Sequence, residues 1–274
     1  MGDMIDEQLA LKVEEAIRTV AAEEIMPRWR RLAAHEVETK SAPHDLVTVA
    51  DRRAEERLTE ILAQLLPGSV VVGEEAVAAD PAVYGALAGD APVWIVDPVD
   101  GTRQFVEGDE GFCTLVGLAH RGVLEASWTH APALALTAHA RRGVGAFVDG
   151  ERVFAGSPEP GRPLTVAHAH PNYTSEEEKR VLARLEVAGV APRECGSAGL
   201  EYVRVARGEL DAVAFNWESA WDHAAGLLMV LEAGGTHETV AGVPFAIAGG
   251  NALPFTAARD ELTARRILSL LNGA

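Results

Sequence analysis

The chain has 274 residues, 48% of them apolar, which suffices for a large folded core in one domain or two closely joined halves. Forty-one acids against 24 bases give a formal net charge of -17, which argues against binding a nucleic-acid backbone. No apolar stretch approaches the ~20 residues of a membrane span. The acidic start, with Asp3, Asp6 and Glu7, shows neither a signal core nor a myristoylation pattern. A cytoplasmic protein that binds no membrane is expected. Cys113 and Cys195 lie apart, without CxxC spacing, so they suggest structural thiols rather than a disulfide framework or a zinc site.

In chain order, Ile5, Leu9, Val13, Ile17 and Val20 recur at helical spacing and predict an amphipathic helix that Pro27 helps end. A polar stretch around residues 41–44 precedes a second helix with Leu58, Ile61, Leu62 and Leu65 on one side, stopped by Pro67-Gly68. Residues 69–72 and 93–96 read as buried strands. From Phe112 to about Val153 short β-prone runs take over, at 114–118, 124–128 and 136–140, with a hairpin turn at Asp149-Gly150. The second half alternates: a strand at 164–167, a helix capped by Ser175 and Glu178 and ending near Gly189, and a helix from Ser197 to Arg207. A strand at 212–215, a helix at 222–233 and a last helix through Leu271 follow. Gly and Pro cluster at 155–163, a soft boundary between two halves of a single 1–274 domain. Antiparallel strands followed by alternating strands and helices indicate layered sheets and helices, an α+β protein.

The segment Trp94-Ile95-Val96-Asp97-Pro98-Val99-Asp100-Gly101-Thr102 carries the most chemistry. An apolar strand delivers Asp97 to its end, Pro98 stiffens the turn, and Asp100 returns to the same side. A helix beginning near Thr102 would aim the amides of Gly101 and Thr102 at an anion. Glu74-Glu75 also follows a strand, while Asp51 and Asp222 sit at helix starts. Taken singly, each acid fits a cap or a solvated loop. Taken together, they form an oxygen-only donor set suited to magnesium, which would also relieve their repulsion of a phosphate dianion.

These residues resemble the inositol monophosphatase family in DLVTVAD (45–51), VVGEEAVA (71–78), WIVDPVDGT (94–102) and WDHAAG (221–226), with EAGG (232–235) after them. The motifs stand in the family's order and the similarity spans roughly 40–251. The resemblance implies a layered α-β-α-β-α sandwich of the inositol monophosphatase and fructose-1,6-bisphosphatase type, a homodimer, and lithium sensitivity as a family trait. It implies about two or three magnesium ions. Glu74, Asp97 and the carbonyl of Val99 would hold the first, and Asp97, Asp100 and Asp222 the second. Thr102 with Glu74 would orient the attacking water, Asp51 would support Thr102, and the amides of Gly101 and Thr102 would bind phosphate. The implied reaction is in-line hydrolysis of a small phosphorylated metabolite, without a phosphoenzyme.

Substrate contacts are less specific. Candidates are Lys40, Asp100, Ser197, Ala198, Phe215 and Glu218, with Arg103, His168, His170 and Asn172 nearby. Many inositol-specific members carry a glutamate seven residues before the WD aspartate; here that position is Phe215. The leading substrate is myo-inositol 1-phosphate, with histidinol phosphate, fructose 1,6-bisphosphate and 3′-phosphoadenosine 5′-phosphate as alternatives on the same site. A regulatory protein that keeps the fold without turnover is the alternative of another class. Gly196-Ser197-Ala198-Gly199 is not GxSxG and no GxGxxG follows an early strand, which argues against a serine hydrolase and a dinucleotide enzyme.

Overall fold

A computed structural model describes residues 5–40 and 45–273. The first four residues of the acidic start and the polar stretch at 41–44 lie outside the described residues. In chain order come α1 (Glu7–Val20), β1 (Val37–Thr39), β2 (Leu46–Thr48), α2 (Val49–Leu65), β3 (Val70–Gly73), α3 (Glu74–Ala79) and β4 (Pro92–Asp100). Next are α4 (Thr102–Glu107), β5 (Cys113–His120), β6 (Val123–Ala131), β7 (Leu136–Arg141), β8 (Gly145–Val148) and β9 (Glu151–Val153). The second half holds β10 (Leu164–His168), α5 (Glu176–Leu182), β11 (Val190–Glu194), α6 (Ala198–Ala206) and β12 (Ala212–Phe215). It closes with α7 (Ala220–Glu232), β13 (Thr236–Thr239), β14 (Phe255–Ala258) and α8 (Glu261–Asn272).

Strands β3 to β9 form a seven-stranded sheet in sequence order, antiparallel except for the parallel β3–β4 pair. The other large sheet has the order β11-β10-β12-β14-β13; its first three strands are parallel and β14 is antiparallel to both neighbours. Strand alternation sorts the side chains into three apolar layers. In β4, Trp94 and Val96 join α1 and α2 on one face, while Val93 and Ile95 join α6 and α7 on the other. In β12, Val213 and Phe215 face that same middle layer, and Ala212 and Ala214 face α5 and α8. The order is therefore helices, sheet, helices, sheet, helices: the expected α-β-α-β-α sandwich.

Most elements lie where the apolar spacing puts them, and the differences have local causes. The opening α-helix gives way at Ala21–Ile25 to a π-helical turn before Pro27. The Ser175–Glu178 capping box is present, but α5 ends at Leu182 and passes through a 3-10 turn, Ala183–Leu185, well before Gly189. Strands β11, β13 and β14 were not expected; they are four or five residues long and carry Thr, Glu, His and Pro rather than continuous apolar runs. The Asp149-Gly150 turn is as read, with φ of 50° and 81° at its two residues, as a tight hairpin turn of inverted type requires.

Helices α6 and α7 fill the space between the sheets and touch closely at Gly226. A Cβ there would lie 2.0 Å from Cδ2 of the buried Tyr202 ring, so a methyl group has no room. Gly226→Ala is expected to destabilise the protein by about 3 kcal/mol, read from chemical denaturation. An unchanged midpoint would contradict the close α6–α7 approach.

Candidate active site

A cavity of about 900 Å³ opens where the first sheet meets the loops of the second. Its acids arrive from separate elements. Strand β4 brings Asp97 and Asp100 to one side through an irregularity in its pairing. Asp97 lies opposite Leu115 and Asp100 opposite Cys113, so Pro98 and Val99 together face Thr114 alone. In a regular strand, residues three apart point to opposite faces; one extra residue turns the second acid back. Pro98 has no N–H to lose from the ladder, and its carbonyl accepts the Thr114 hydroxyl at 2.9 Å. Gly101 then takes a left-handed conformation, φ 87°, and α4 begins at Thr102.

Asp222 comes from the first turn of α7. Ligand oxygens of Asp97, Asp100 and Asp222 all lie within 4.8 Å of one another. Burial, then the charges of Glu74, Asp100 and Asp222, raise the Asp97 pKa well above the carboxylate range. Burial, then Asp100 and Glu74, does the same to Asp222. For Asp100, burial outweighs bonds from the Ser197 hydroxyl at 2.6 Å and the amides of Gly199 and Ala198 at 2.7 and 3.2 Å. The Cys113 thiol also points at Asp100, at 3.5 Å.

Glu74 opens α3, and Lys40 bridges it and Glu75 at 2.8 and 2.5 Å. Burial raises the Glu74 pKa against the pull of Lys40. Burial alone would lower Lys40, but the two glutamates overturn it and hold the ammonium charged. Asp51 serves two ends. One oxygen accepts the Thr48 amide and hydroxyl, capping α2, and the other lies 3.4 Å from the Thr102 hydroxyl. That hydroxyl also faces the Val99 carbonyl, at 3.0 Å. Burial, reinforced by Glu74 and Glu75, pushes Asp51 up to about 7.

The cavity wall includes Lys40, Glu74, Asp97, Val99, Asp100, Gly101, Thr102, Ala198 and Asp222, so these expected residues converge; Asp51 stands behind Thr102. Three of the expected substrate contacts, Phe215, Glu218 and Ser197, lie off the cavity wall. Phe215 is fully buried among Tyr202, Trp217, His223 and Phe255 and does not line the cavity, because its face of β12 is the middle apolar layer. Glu218 is turned away: its carboxylate accepts the Asn251 amide and its carbonyl the Tyr84 hydroxyl. Ser197 is buried beneath Asp100 rather than on the wall. His168 and Asn172 are not on the wall, whereas Arg103 and His170 are.

Two supports were missed in the sequence. Glu55, one turn after Asp51 on α2, accepts the amides of Glu75 and Ala76 at 2.8 and 2.7 Å and so caps α3, whose preceding residue Gly73 has no side chain to do so. Its i,i+4 spacing from Asp51 was the available signal. Trp217 donates its indole N–H to Asp222 at 2.6 Å. Its carbonyl faces Nε2 of His223, whose Nδ1 faces the Tyr202 hydroxyl, each at 3.0 Å. Burial lowers His223 to about 3, so it is neutral: Nε2–H donates to the carbonyl, and Nδ1 accepts from Tyr202.

The chain is similar to known proteins over nearly its whole length. The model of the inositol monophosphatase family matches residues 6–271. The inositol-1-monophosphatase of Bacillus subtilis is 31% identical over 264 residues, covering 89% of this chain and 97% of that protein. Among solved structures, the IMPase of Thermotoga maritima superposes with a TM-score of 0.80 at 26% identity, covering 98% of each chain. An IMPase/NADP phosphatase complexed with Mg2+ and phosphate shares the fold, with a TM-score of 0.76 at 23% identity over 98% of this chain and 95% of that one. The protein is a phosphatase, a phosphoric monoester hydrolase by class. It belongs to the inositol monophosphatase family.

The raised acids set a pH dependence. A carboxylate whose folded pKa lies above its unfolded value favours folding below the unfolded pKa, and that favour is lost as pH rises through the folded pKa. The metal-free protein should therefore lose stability from about pH 4, where Asp51 and Glu55 ionise in the unfolded chain, to about pH 7, where both, pushed up to about 7, ionise in the folded one. Magnesium at a hundredfold excess over its Kd should raise the thermal midpoint by about 5 °C near pH 8 and by less near pH 5.5, where protons compete for the acids. An equal shift at both pH values would contradict binding through these carboxylates.

Proposed function

We propose that the chain is a magnesium-dependent phosphomonoesterase acting on a small phosphorylated metabolite, with myo-inositol 1-phosphate, the substrate implied by the names of its relatives, as the reference substrate. The carrying observation is the convergence of Asp97, Asp100 and Asp222 within 4.8 Å. Mutually repelling and oxygen-only, with Asp97 and Asp100 buried and Asp222 half-buried, these groups fit a hard divalent cation. Asp97, Asp100, Asp222, Glu74 and the Val99 carbonyl would hold about two or three ions. The chemistry that bound magnesium supplies is neutralisation of the cluster and activation of water for attack on phosphorus.

The chain's own groups do the rest. The first amides of α4, at Gly101 and Thr102, are without intrahelical acceptors and receive phosphate oxygens. Ser197, Gly199 and Ala198 fix the Asp100 carboxylate, Trp217 fixes Asp222, and Glu55 fixes the start of α3 and with it Glu74. The Thr102 hydroxyl orients water, and Asp51, 3.4 Å behind it, supports that hydroxyl. Lys40 draws in the dianion from beside Glu74. The chain works as one domain, with a soft join near 155–163, because α6 and α7 pack between the two sheets. The homodimer implied by the resemblance and the cytoplasmic location expected from the sequence belong to this reading; among the described residues, no helix is long and apolar enough to cross a membrane.

A panel of phosphate monoesters assayed by phosphate release tests it. Hydrolysis should require magnesium, stop with chelator, and fall by about 100-fold or more in Asp97→Asn; unchanged activity in that variant refutes the site. Thr102→Ala should lower kcat by about 100-fold with KM little changed, and Thr102→Ser should recover most of it. A purely KM effect would remove Thr102 from the water-orienting role.

A further inference from the structure

The parallel strands β10, β11 and β12 end at the cavity, and loops after them supply His170, Tyr173, Cys195 and Trp217 to its wall. Strand β10 connects to its neighbour β11 through α5 on the outer face of the sheet, and β11 connects to β12 through α6 on the inner face, so the loops after β10 and β11 part to opposite faces, the point in an open α/β sheet where ligands settle. This part of the wall is suited to the leaving group.

Its charges can be counted against their partners. Lys40 is taken by Glu74 and Glu75. Arg52 is held by Glu38 through two bonds, at 3.0 and 2.6 Å. His170 has Nε2 3.3 Å from Glu194, and its Nδ1 accepts the Asn172 amide. Asp45 is itself engaged. Arg103 differs. Among the described residues, no carboxylate forms an ion pair with it, not even Glu107 one turn on, although it lines the cavity and its charge acts on both His170 and Tyr173. Beside it the side-chain amide nitrogen of Gln104 lies against Gly196. Meanwhile the β12 loop offers no carboxylate for hydroxyl groups, since Phe215 is in the core and Glu218 is bound to Asn251. This part of the wall thus presents a cation and an amide donor, and the β12 loop brings no carboxylate to it.

We propose that Arg103, with Gln104 beside it, is a specificity-determining site for a second anionic group on the leaving group, so that the favoured esters carry a carboxylate or a second phosphate besides the one removed. This rests on the phosphatase reading above. A guanidinium is always charged and matches either anion with two parallel N–H donors. In a cavity rich in carboxylates, such a group also offsets the repulsion that a second negative charge on the substrate would meet.

Two matched pairs of esters test it, glycerol 3-phosphate against 3-phosphoglycerate and fructose 1-phosphate against fructose 1,6-bisphosphate, compared by kcat/KM in wild type, Arg103→Gln and Arg103→Lys. Wild type should favour the charged member of at least one pair by about tenfold, through KM. Arg103→Gln should bring that ratio close to one, and Arg103→Lys should keep part of it. The pair that responds identifies the anion as carboxylate or phosphate. A ratio equal in wild type and Arg103→Gln for both pairs overturns the proposal and leaves the phosphatase reading standing. Magnesium-dependent hydrolysis of myo-inositol 1-phosphate but of none of the four overturns this proposal alone, and no hydrolysis of any of the five overturns that reading, and this proposal with it.

Discussion

Five acids, drawn from α2, α3, β4 and α7, are brought close together in a place where carboxylates are costly. Burial and mutual repulsion push Asp97 and Asp222 well above the ordinary range, so the folded chain carries this cluster at a cost to its own stability. Nothing about the layers requires it. The surrounding structure can be understood as what holds repelling groups in place: a pairing irregularity that turns Asp100 back beside Asp97, amides and a hydroxyl that clamp Asp100, and an indole N–H that fixes Asp222.

Each support draws on the hydrophobic frame behind it. The Trp217 indole keeps its aim because its carbonyl is held by His223, which stays neutral in an aromatic nest of Phe215, Phe245 and Phe255. Glu55 reaches α3 because α2 packs its apolar side, Ala50, Ala54, Leu58 and Leu62, against the first sheet. A helix cap and a site acid can also be one residue: Asp51 closes the first turn of α2 with one oxygen and faces Thr102 with the other. The choice between a structural and a functional acid is therefore no choice at that position.

The layered character of the fold was legible in local grammar, and the convergence of the acids in the ordered motifs that resemble the family. Apolar runs ending in Asp, Gly or Pro mark strand ends, and helical spacing marks α1, α2, α7 and α8. What was not legible depends on tertiary contact. The extra residue in β4 shows only against its partner β5, and the bonds from Ser197 and Cys113 to Asp100 span segments far apart in sequence. Glu55 and Trp217 look like ordinary helix and loop residues until α3 and α7 are placed beside them. Phe215 was misplaced for a related reason. Its distance from Asp222 matched a substrate position, but the two-residue alternation Val213, Phe215 puts its ring in the core.

The central claim is that Asp97, Asp100 and Asp222 are held together to bind a divalent cation. Calorimetric titration of magnesium into metal-stripped wild-type protein and into Asp97→Asn at neutral pH tests it most directly. Saturable binding with proton release in the wild type, lost or greatly weakened in the variant, is the predicted result. Equal binding by both proteins, or none by the wild type, would contradict it.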